Sequence, residues 1–253
     1  MLFRSSQEPN GTPFEPFRDL SALAKIARQS QFCRFFIKGS VVLTSGEISL
    51  LNNVELVGIG DALVSLPTNC AFVLKNSGFY AQNIIFEKQG ESSSSKKLRG
   101  AAKALTSFFV LDHSAATFKN CEIIARFLGD GRVFDSQSSS LKLEGTGISS
   151  SAQGYSCAIN ASGPSKITVL NSRVLSVADT AVAFSSTGGR WNLDENFAQV
   201  AGRMGRPAEF IDTVVSMTNN KFTSQVSSKP QGYKDIYTAG KVDFISDEGN
   251  IYK

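Results

Sequence analysis

The chain of 253 residues is 42% hydrophobic and 19% charged, so it is long enough to bury one large core. Its 26 Lys and Arg residues exceed its 22 Asp and Glu residues by only four. This excess favours an acidic partner slightly and is too small to indicate nucleic acid binding. The stretch 1–17 lacks the apolar segment of a signal peptide, and no apolar run approaches the ~20 residues of a membrane span. We therefore expect a soluble protein, cytoplasmic or exported by a non-classical route unless a leader has been removed.

One segment near the N-terminus has the spacing of an amphipathic helix. The stretch "DLSALAKIAR" (19–28) places Leu20, Leu23 and Ala27 on one face, and Asp19 is a suitable N-cap. The sequence therefore predicts a short helix over 19–29, preceded by an N-terminal extension (1–16).

After this helix, the chain repeats a short pattern in which a turn residue follows one apolar residue by two positions and precedes another by three. The turn positions are Asn53, Asn83, Asn120, Gly145, Asn171, Glu195 and Asn219. Most intervals between them are 24 to 30 residues, by subtraction, and one is 37. A period in the twenties is typical of stacked β coils, and Asn and Gly suit the bend because they tolerate positive φ.

Each coil also contains an earlier apolar strand that ends in a polar residue, as in "FVLD" (109–112) and "RVFD" (132–135). Stacked coils bury their inward side chains continuously, and each coil is stable only against its neighbours. We therefore predict an all-β fold, a single-stranded right-handed parallel β-helix of about seven coils. The whole chain (1–253) forms one domain, the N-terminal helix covers its open end, and 223–253 forms a C-terminal cap region. The alternative is a β-sandwich, whose strands would not repeat with Asn at one register.

The interval of 37 residues contains an inserted loop, "KQGESSSSKKLRGAAKA" (88–104), which is basic near its end. Lys96, Lys97 and Arg99 lie in this stretch. The segment is either a solvated excursion or a lip over a groove that binds an anionic ligand, since loops beside a rigid stack commonly carry binding.

The four cysteines, Cys33, Cys70, Cys121 and Cys157, have apolar neighbours and no metal-ligand spacing. They are expected to be buried free thiols. Because His113 is the single histidine, a zinc site is not expected, and we predict no metal and no cofactor.

Several segments together resemble the pectin methylesterases, carbohydrate esterases built on the right-handed β-helix of the pectin-lyase-like superfamily. The quoted segments extend over roughly residues 17 to 222. They are "FFIKGSVV" (35–42), "NNVELVGIGDALVSL" (52–66), "FVLKNSGFYAQNIIFEKQG" (72–90), "SFFVLDHSAATFKNCEII" (107–124) and "MGRPAEFIDTVVSM" (204–217). The Gly-Arg-Pro followed by Thr-Val-Val is the most specific of these.

The resemblance implies ester hydrolysis by two aspartates, with an arginine that holds the nucleophilic carboxylate and glutamines that stabilise the oxyanion. Carried over residue by residue, Arg206 falls on the arginine and Asp130 on the acid/base position. Ser156 occupies the position of the nucleophile, and Gly129 and Leu105 stand where the glutamines are expected. The catalytic set therefore departs from the family pattern, and family-type activity is expected to be negligible.

The residues themselves suggest a different pair. Asp112 and Asp135 end strands that look equivalent in successive coils, so they are expected to lie about one strand spacing, ~5 Å, apart. Such a pair could supply an acid and a base for glycoside hydrolysis, with His113 beside Asp112. The simpler interpretation is a ladder of turn-capping residues, with His113 as a surface or turn histidine.

Three functions follow as hypotheses. The first is a catalytically degenerate relative of the pectinesterases that binds an acidic polysaccharide or a protein partner in a groove, with Lys96, Lys97, Arg99, His113 and Ser156 as candidate binding residues. The second is an active enzyme, either an esterase that uses Asp130 and Arg206 or a hydrolase that uses Asp112 and Asp135. The third is a virion or surface spike component. The expected oligomeric state is a monomer or, for the spike, a trimer.

Overall fold

The structure is a computed structural model that describes residues 2–3, 21–43, 48–67, 70–89 and 106–253. This part of the chain contains one helix, α1 (Ser21–Ala27), and a long series of strands that all pair in parallel. The strands before residue 130 are β1 (Leu2–Phe3), β2 (Phe32–Val42), β3 (Ile48–Leu50), β4 (Asn53–Pro67), β5 (Phe72–Lys75), β6 (Gly78–Gln82), β7 (Ile85–Gln89), β8 (Thr106–Asp112), β9 (Ala115–Lys119) and β10 (Glu122–Arg126). The later strands are β11 (Gly131–Gln137), β12 (Ser140–Glu144), β13 (Gly147–Ser151), β14 (Tyr155–Ser162), β15 (Lys166–Leu170), β16 (Arg173–Thr187), β17 (Arg190–Asp194), β18 (Phe197–Ile211), β19 (Val214–Thr218), β20 (Lys221–Val226), β21 (Ile236–Ala239), β22 (Asp243–Glu248) and β23 (Ile251–Tyr252).

These strands form a right-handed parallel β-helix of about eight turns, which confirms the predicted fold class. Sheet A contains the first half of β4 followed by β6, β9, β12, β15, β17, β19 and β22. Sheet B contains the second half of β4, then β7, β10, β13, the first halves of β16 and β18, β20 and β23. Sheet C contains β3, β5, β8, β11, β14, the second halves of β16 and β18, and β21. A rung is one turn of the chain through the three sheets.

The corner between sheets A and B is formed by one residue with positive φ in each rung. Six of the seven predicted turn residues occupy it: Asn83, Asn120, Gly145, Asn171, Glu195 and Asn219. Asn53 was assigned to this corner wrongly. It begins β4, where it pairs with Phe32, and its side-chain oxygen accepts a hydrogen bond from the backbone N–H of Gly78 at 2.8 Å.

A second row of positive-φ residues forms the corner between sheets C and A. It contains Asn76, His113, Ser138, Gly163, Gly188, Asp212 and Gly240. His113 is therefore a turn residue, as the simpler interpretation of the sequence expected. The third corner, between sheets B and C, varies in length: four residues (127–130) separate β10 from β11, whereas β16 and β18 pass through it without a break.

Phenylalanine fills much of the interior. Phe72, Phe109 and Phe134 occupy one register in successive rungs, and their rings stack at centroid distances of 5.2 and 5.1 Å. Phe86 and Phe118 meet Phe109 edge-on from the other sheets. Aromatic pairs in these geometries are favourable beyond the area that they bury, so these rings stabilise the interior of the β-helix.

Two hydrogen-bonded ladders of polar side chains run inside the corners. At the corner between sheets A and B, the side-chain oxygen of Asn196 accepts from the N–H of Ser172, that of Asn220 from Asn196, and that of Asn250 from Asn220. At the other corner, Ser114, Ser139 and Ser165 accept in the same way from the preceding rung. Each rung thereby satisfies buried backbone donors that its turn leaves without a strand partner.

One lysine lies in the core. Lys88 in β7 is 1% exposed, and its ammonium group donates to the carbonyl oxygens of Cys70 at 2.8 Å and Ser107 at 2.9 Å. Its Nζ also lies 5.4 Å from the centroid of the Phe127 ring. Burial lowers the pKa of Lys88 to about 8. The predicted inserted loop began at residue 88, but β7 continues to Gln89, so Lys88 belongs to a rung.

A helix lies at one end of the stack and additional strands lie at the other. α1 covers the first rungs with the buried side chains of Leu23 and Ala27, and the side chain of Asn52 donates to the carbonyl oxygen of Ala27 at 2.7 Å. At the other end, β21, β22 and β23 lie within the segment 223–253 and pair in parallel with the preceding rung. The segment predicted as a cap therefore adds strands to the β-helix, which has about eight turns where about seven were predicted.

Three of the four cysteines are buried and Cys33 is half-buried, and all four are free thiols, as predicted. Within the described residues no helix is long and apolar enough to cross a membrane.

Candidate binding groove on sheet C

A groove of about 510 Å³ runs over the outer face of sheet C, across β5, β8, β11, β14 and β16. Its lining is mostly polar, and the strand pairing arranges it in rows. One row contains Val110, Asp135, Asn160 and Ser185, and a parallel row contains Lys75, Asp112, Gln137, Ser162 and Thr187. Side chains two residues apart on a strand point to the same face, so both rows face outwards.

The floor of the groove contains a hydrogen-bonded network of three side chains. Nη1 of Arg132 donates to both carboxylate oxygens of Asp135 at 3.1 Å. Nδ2 of Asn160, one rung further on, donates to Oδ1 of Asp135 at 2.8 Å. The Asp135 side chain is thereby fixed between two rungs, since charge-assisted hydrogen bonds are the strong ones.

Asp112 and Asp135 line the same groove, but they are not equivalent. Asp112 pairs with Gln137, and Asp135 pairs with Val110. The prediction that the two aspartates occupy the same place in adjacent rungs was wrong. The two aspartates lie on adjacent strands and are offset by two residues along the strand direction, so their Cα atoms are ~8 Å apart.

His113 follows Asp112 at the corner, where its φ is 49°. Its Nδ1 lies 2.6 Å from Oδ1 of Asp112, and both side chains are substantially exposed. The pair therefore lies at the rim of the groove, in contact with solvent.

Asp130 lies just before β11, at the sheet B to sheet C corner. Its Oδ1 accepts a hydrogen bond from the backbone N–H of Tyr155 at 2.8 Å, which gives this carboxylate a structural contact with the next rung.

Arg206 occupies the same row as Arg132, but three rungs further on, through Cys157 and Val182. Three strand spacings amount to ~14 Å. The structure therefore does not bring Asp130 and Arg206 together, although the esterase hypothesis requires that they meet.

The contacts of Arg206 are aromatic. Its guanidinium carbon lies 4.6 Å from the ring centroid of Tyr237 and 5.7 Å from that of Tyr233. The hydroxyl of Tyr233 donates to the carbonyl oxygen of Gly205 at 2.8 Å. Burial raises the pKa of the neighbouring Glu209, and the charge of Arg206 opposes that rise. Arg206 thus attaches the segment around Tyr233 and Tyr237 to β18.

Ser156 points into the β-helix. It is fully buried, and its hydroxyl lies 2.6 Å from that of Ser150 and 2.9 Å from that of Ser176. A ligand on the outer face cannot reach it, so this placement gives no support to Ser156 as a binding residue. The next residue, Cys157, is buried beside Tyr155, and burial raises the pKa of its thiol to about 12, which disfavours a reactive thiolate.

The remaining predicted binding residues, Lys96, Lys97 and Arg99, lie outside the described residues. Sequence reasoning also missed Arg132, Asn160, Gln137 and Lys75, which line the groove. Counting back from the positive-φ residue of each rung would have placed Gln137 and Lys75 in the row of Asp112.

Among the described residues, no group of three or more His, Cys, Asp or Glu side chains is arranged to hold a metal ion. The chain is thus a right-handed parallel β-helix protein with a polar groove on one of its three sheets. It matches no protein-family model and no curated protein. The resemblance to pectin methylesterases rests on the segments quoted above, and the β-helix is compatible with it.

Proposed function

We propose that this protein binds a linear glycan in the groove on sheet C and does not catalyse a reaction on it. The observation that carries the proposal is the network of Arg132, Asp135 and Asn160, which fixes polar groups on two successive rungs. Successive rungs repeat at ~4.8 Å, a length similar to one sugar unit of an extended glycan. A row of polar side chains with this repeat can meet the hydroxyl groups of successive sugars.

The charges of the groove favour hydroxyl groups as its ligands. Two cations, Lys75 and Arg132, face two carboxylates, Asp112 and Asp135. Because these charges cancel and Arg132 is engaged with Asp135, the groove has little net attraction for a polyanion. Gln137, Ser162 and Thr187 supply further donors and acceptors at its edge.

The contacts of the aspartates support binding over catalysis. Both oxygens of Asp135 accept from Arg132 and Oδ1 also accepts from Asn160, so this carboxylate is held within the hydrogen-bonded network of the groove. Asp112 is paired with His113 at the exposed rim. The esterase hypothesis has less support, since Asp130 and Arg206 lie three rungs apart and Ser156 is buried.

The proposal is tested by titration calorimetry of the full chain with neutral and acidic oligosaccharides of five to ten sugars. Gln137→Ala removes a groove side chain that is exposed, so we expect weaker binding and an unchanged melting temperature. The matched control is Gln225→Ala, which removes an exposed glutamine from β20 on sheet B. Equal binding by both variants and the wild type would contradict a ligand in this groove.

Turnover is measured with the same ligands. Release of methanol from methylated pectin or of new reducing ends by the wild type would contradict the non-catalytic proposal. If the release of new reducing ends were lost in Asp112→Asn and Asp135→Asn, the hydrolase hypothesis would replace the non-catalytic proposal. If the protein bound no glycan but bound a defined protein through Gln137, the glycan proposal would be wrong and the groove would be a protein-binding site.

A further inference from the structure

A notch interrupts the edge at which sheet A turns into sheet B. Gly145 occupies the corner position of one rung, and Gly147 follows it at the start of β13. The corner residues of the neighbouring rungs are Asn120 on one side and Asn171 on the other. Because this rung has glycine at two positions where its neighbours have polar side chains, it leaves a depression of about 450 Å³, which we call the notch.

The two walls of the notch carry opposite charges. Glu122, Gly147 and Arg173 are register partners on three successive rungs of sheet B. The Cα atoms of Glu122 and Arg173 are therefore two strand spacings apart, ~9.6 Å, with the glycine between them. Both side chains are exposed. An acidic wall and a basic wall thus border the same space.

The acidic wall directs oxygen atoms into the notch. A Cβ atom at Gly147 would overlap the carboxylate of Glu122, so this carboxylate lies over the glycine. A Cβ atom at Gly145 would lie 2.7 Å from Oδ1 of Asn120. Carboxylate and amide oxygens accept hydrogen bonds, so this wall can bind an ammonium group.

The basic wall is held away from the acidic one. The Cζ atom of Arg173 lies 5.7 Å from the ring centroid of Phe197, which belongs to the rung on the far side from Glu122. Within the described ranges Glu122 and Arg173 do not form an ion pair with each other, and no other ion pair engages either of them. The amide of Asn171 supplies a donor beside Arg173. This wall can bind a carboxylate, which Arg recognises with two N–H groups.

We propose that the notch binds a small zwitterion of the amino-acid class, with the ammonium group of the ligand on Glu122 and its carboxylate on Arg173. Glu122 repels a simple anion and Arg173 repels a simple cation, so the charge pattern selects a ligand that carries both signs. Ser149 in the lining of the notch supplies a further hydroxyl. The notch lies on a different face from the groove on sheet C, and this proposal does not rest on glycan binding there.

The test follows the backbone amide signals of the isotope-labelled full chain by NMR at low salt, because salt screens exposed charges. The zwitterionic probes are glycine, β-alanine and γ-aminobutyrate, in which the two charges are separated by increasing lengths. Butyrate and butylammonium carry one charge each. We expect saturable shifts at Gly145 and Gly147 with the best zwitterion, and about 3- to 10-fold weaker binding of both probes with a single charge.

Glu122→Gln and Arg173→Gln should each weaken binding of the zwitterion about 3- to 10-fold. Their effects on the other probes should be opposite, since Glu122→Gln removes the repulsion of butyrate and Arg173→Gln removes the repulsion of butylammonium. The matched controls are Glu248→Gln and Lys166→Gln, which remove an exposed charge of each sign from sheet A. These controls should change binding less than about twofold.

Gly147→Ala tests the space itself. The φ of Gly147 lies outside the left-handed region, and the added methyl group meets the flexible end of Glu122, so the variant should fold and bind the zwitterion more weakly. The proposal is overturned if no zwitterion shifts the signals of Gly145 and Gly147, or if butyrate or butylammonium binds as tightly as the zwitterion. It is also overturned if Glu122→Gln and Arg173→Gln act like their controls on sheet A.

Discussion

Replacing Lys88 by methionine tests how the buried ammonium group contributes to stability. Burial lowers the pKa of Lys88 in the folded protein to about 8, from an ordinary value of 10.5. Between these two pH values the unfolded chain binds more protons than the folded chain. The free energy of unfolding of the wild type therefore rises with pH across this window, and below pH 8 the full penalty of keeping the buried amine charged is present.

The size of this effect follows from the two pKa values. A difference of about 2.5 pH units at 1.36 kcal/mol per unit corresponds to roughly 3 kcal/mol. Lys88→Met removes the ionisable group and with it this pH dependence. It also leaves the carbonyl oxygens of Cys70 and Ser107 without their lysine donor, at about 1–3 kcal/mol each. The cost of the two unsatisfied carbonyl oxygens hardly depends on pH, so a comparison across pH isolates the cost of burying the charged amine.

The measurement is urea-induced unfolding of both proteins at pH 7 and pH 10. We expect the stability of the wild type relative to Lys88→Met to increase by roughly 2–3 kcal/mol between these values. Lys166→Met, at an exposed position of β15, is the control and should show no such change. A difference between wild type and Lys88→Met that stays constant from pH 7 to pH 10 would refute the reasoning.

The remaining predictions concern the buried ladder, the Arg206 cluster and the assembly state. Asn220→Ala should lower the free energy of unfolding by about 2–4 kcal/mol, because it leaves the N–H of Asn196 without its acceptor and the carbonyl oxygen of Leu193 without its donor; an unchanged urea midpoint would contradict the ladder. Arg206→Ala should lower the melting temperature and leave oligosaccharide binding unchanged, since its contacts are with Tyr237 and Tyr233; lost affinity at an unchanged midpoint would restore Arg206 as a binding residue. The stability of Glu209→Gln relative to the wild type should be greater at pH 7 than at pH 4. The raised pKa of Glu209 destabilises the folded wild type as the pH rises through it, and glutamine does not titrate; thermal melts of both proteins at the two pH values measure this. Light scattering should give the mass of a monomer, and a stable trimer would favour the spike hypothesis.

The sequence predicted the corner between sheets A and B well, because the positive φ of that corner is a local requirement that Asn and Gly meet at low cost. Asn83, Asn120 and Asn171 show this directly. The prediction for Asn53 was wrong because its neighbours match the repeated apolar pattern, although its side chain accepts a hydrogen bond from the next rung. The pattern of amino-acid types does not by itself distinguish a corner residue from a capping residue at the start of a strand.

The site was harder to predict, since it depends on register. "FVLD" and "RVFD" look alike, but Asp112 directly precedes its corner residue, whereas Ser136 and Gln137 separate Asp135 from Ser138. The contacts of Arg206 with Tyr233 and Tyr237 could not be foreseen either. They depend on the path of residues 227–235, which contain no strand and no repeat.

The unequal corner between sheets B and C has a consequence for how such a protein can change. From β5 onwards the other two corners are short, with two or three residues between separate strands in each rung. The corner between sheets B and C accommodates a direct passage in β16 and β18, four residues at 127–130 and nine residues at 227–235. Insertions can therefore accumulate along this single edge, as in the sequence between β7 and β8, while the stacked interior stays the same. Because that edge lies at the start of the sheet C strands, next to Arg132, new sequence there would border one side of the groove without rebuilding the stack that carries it.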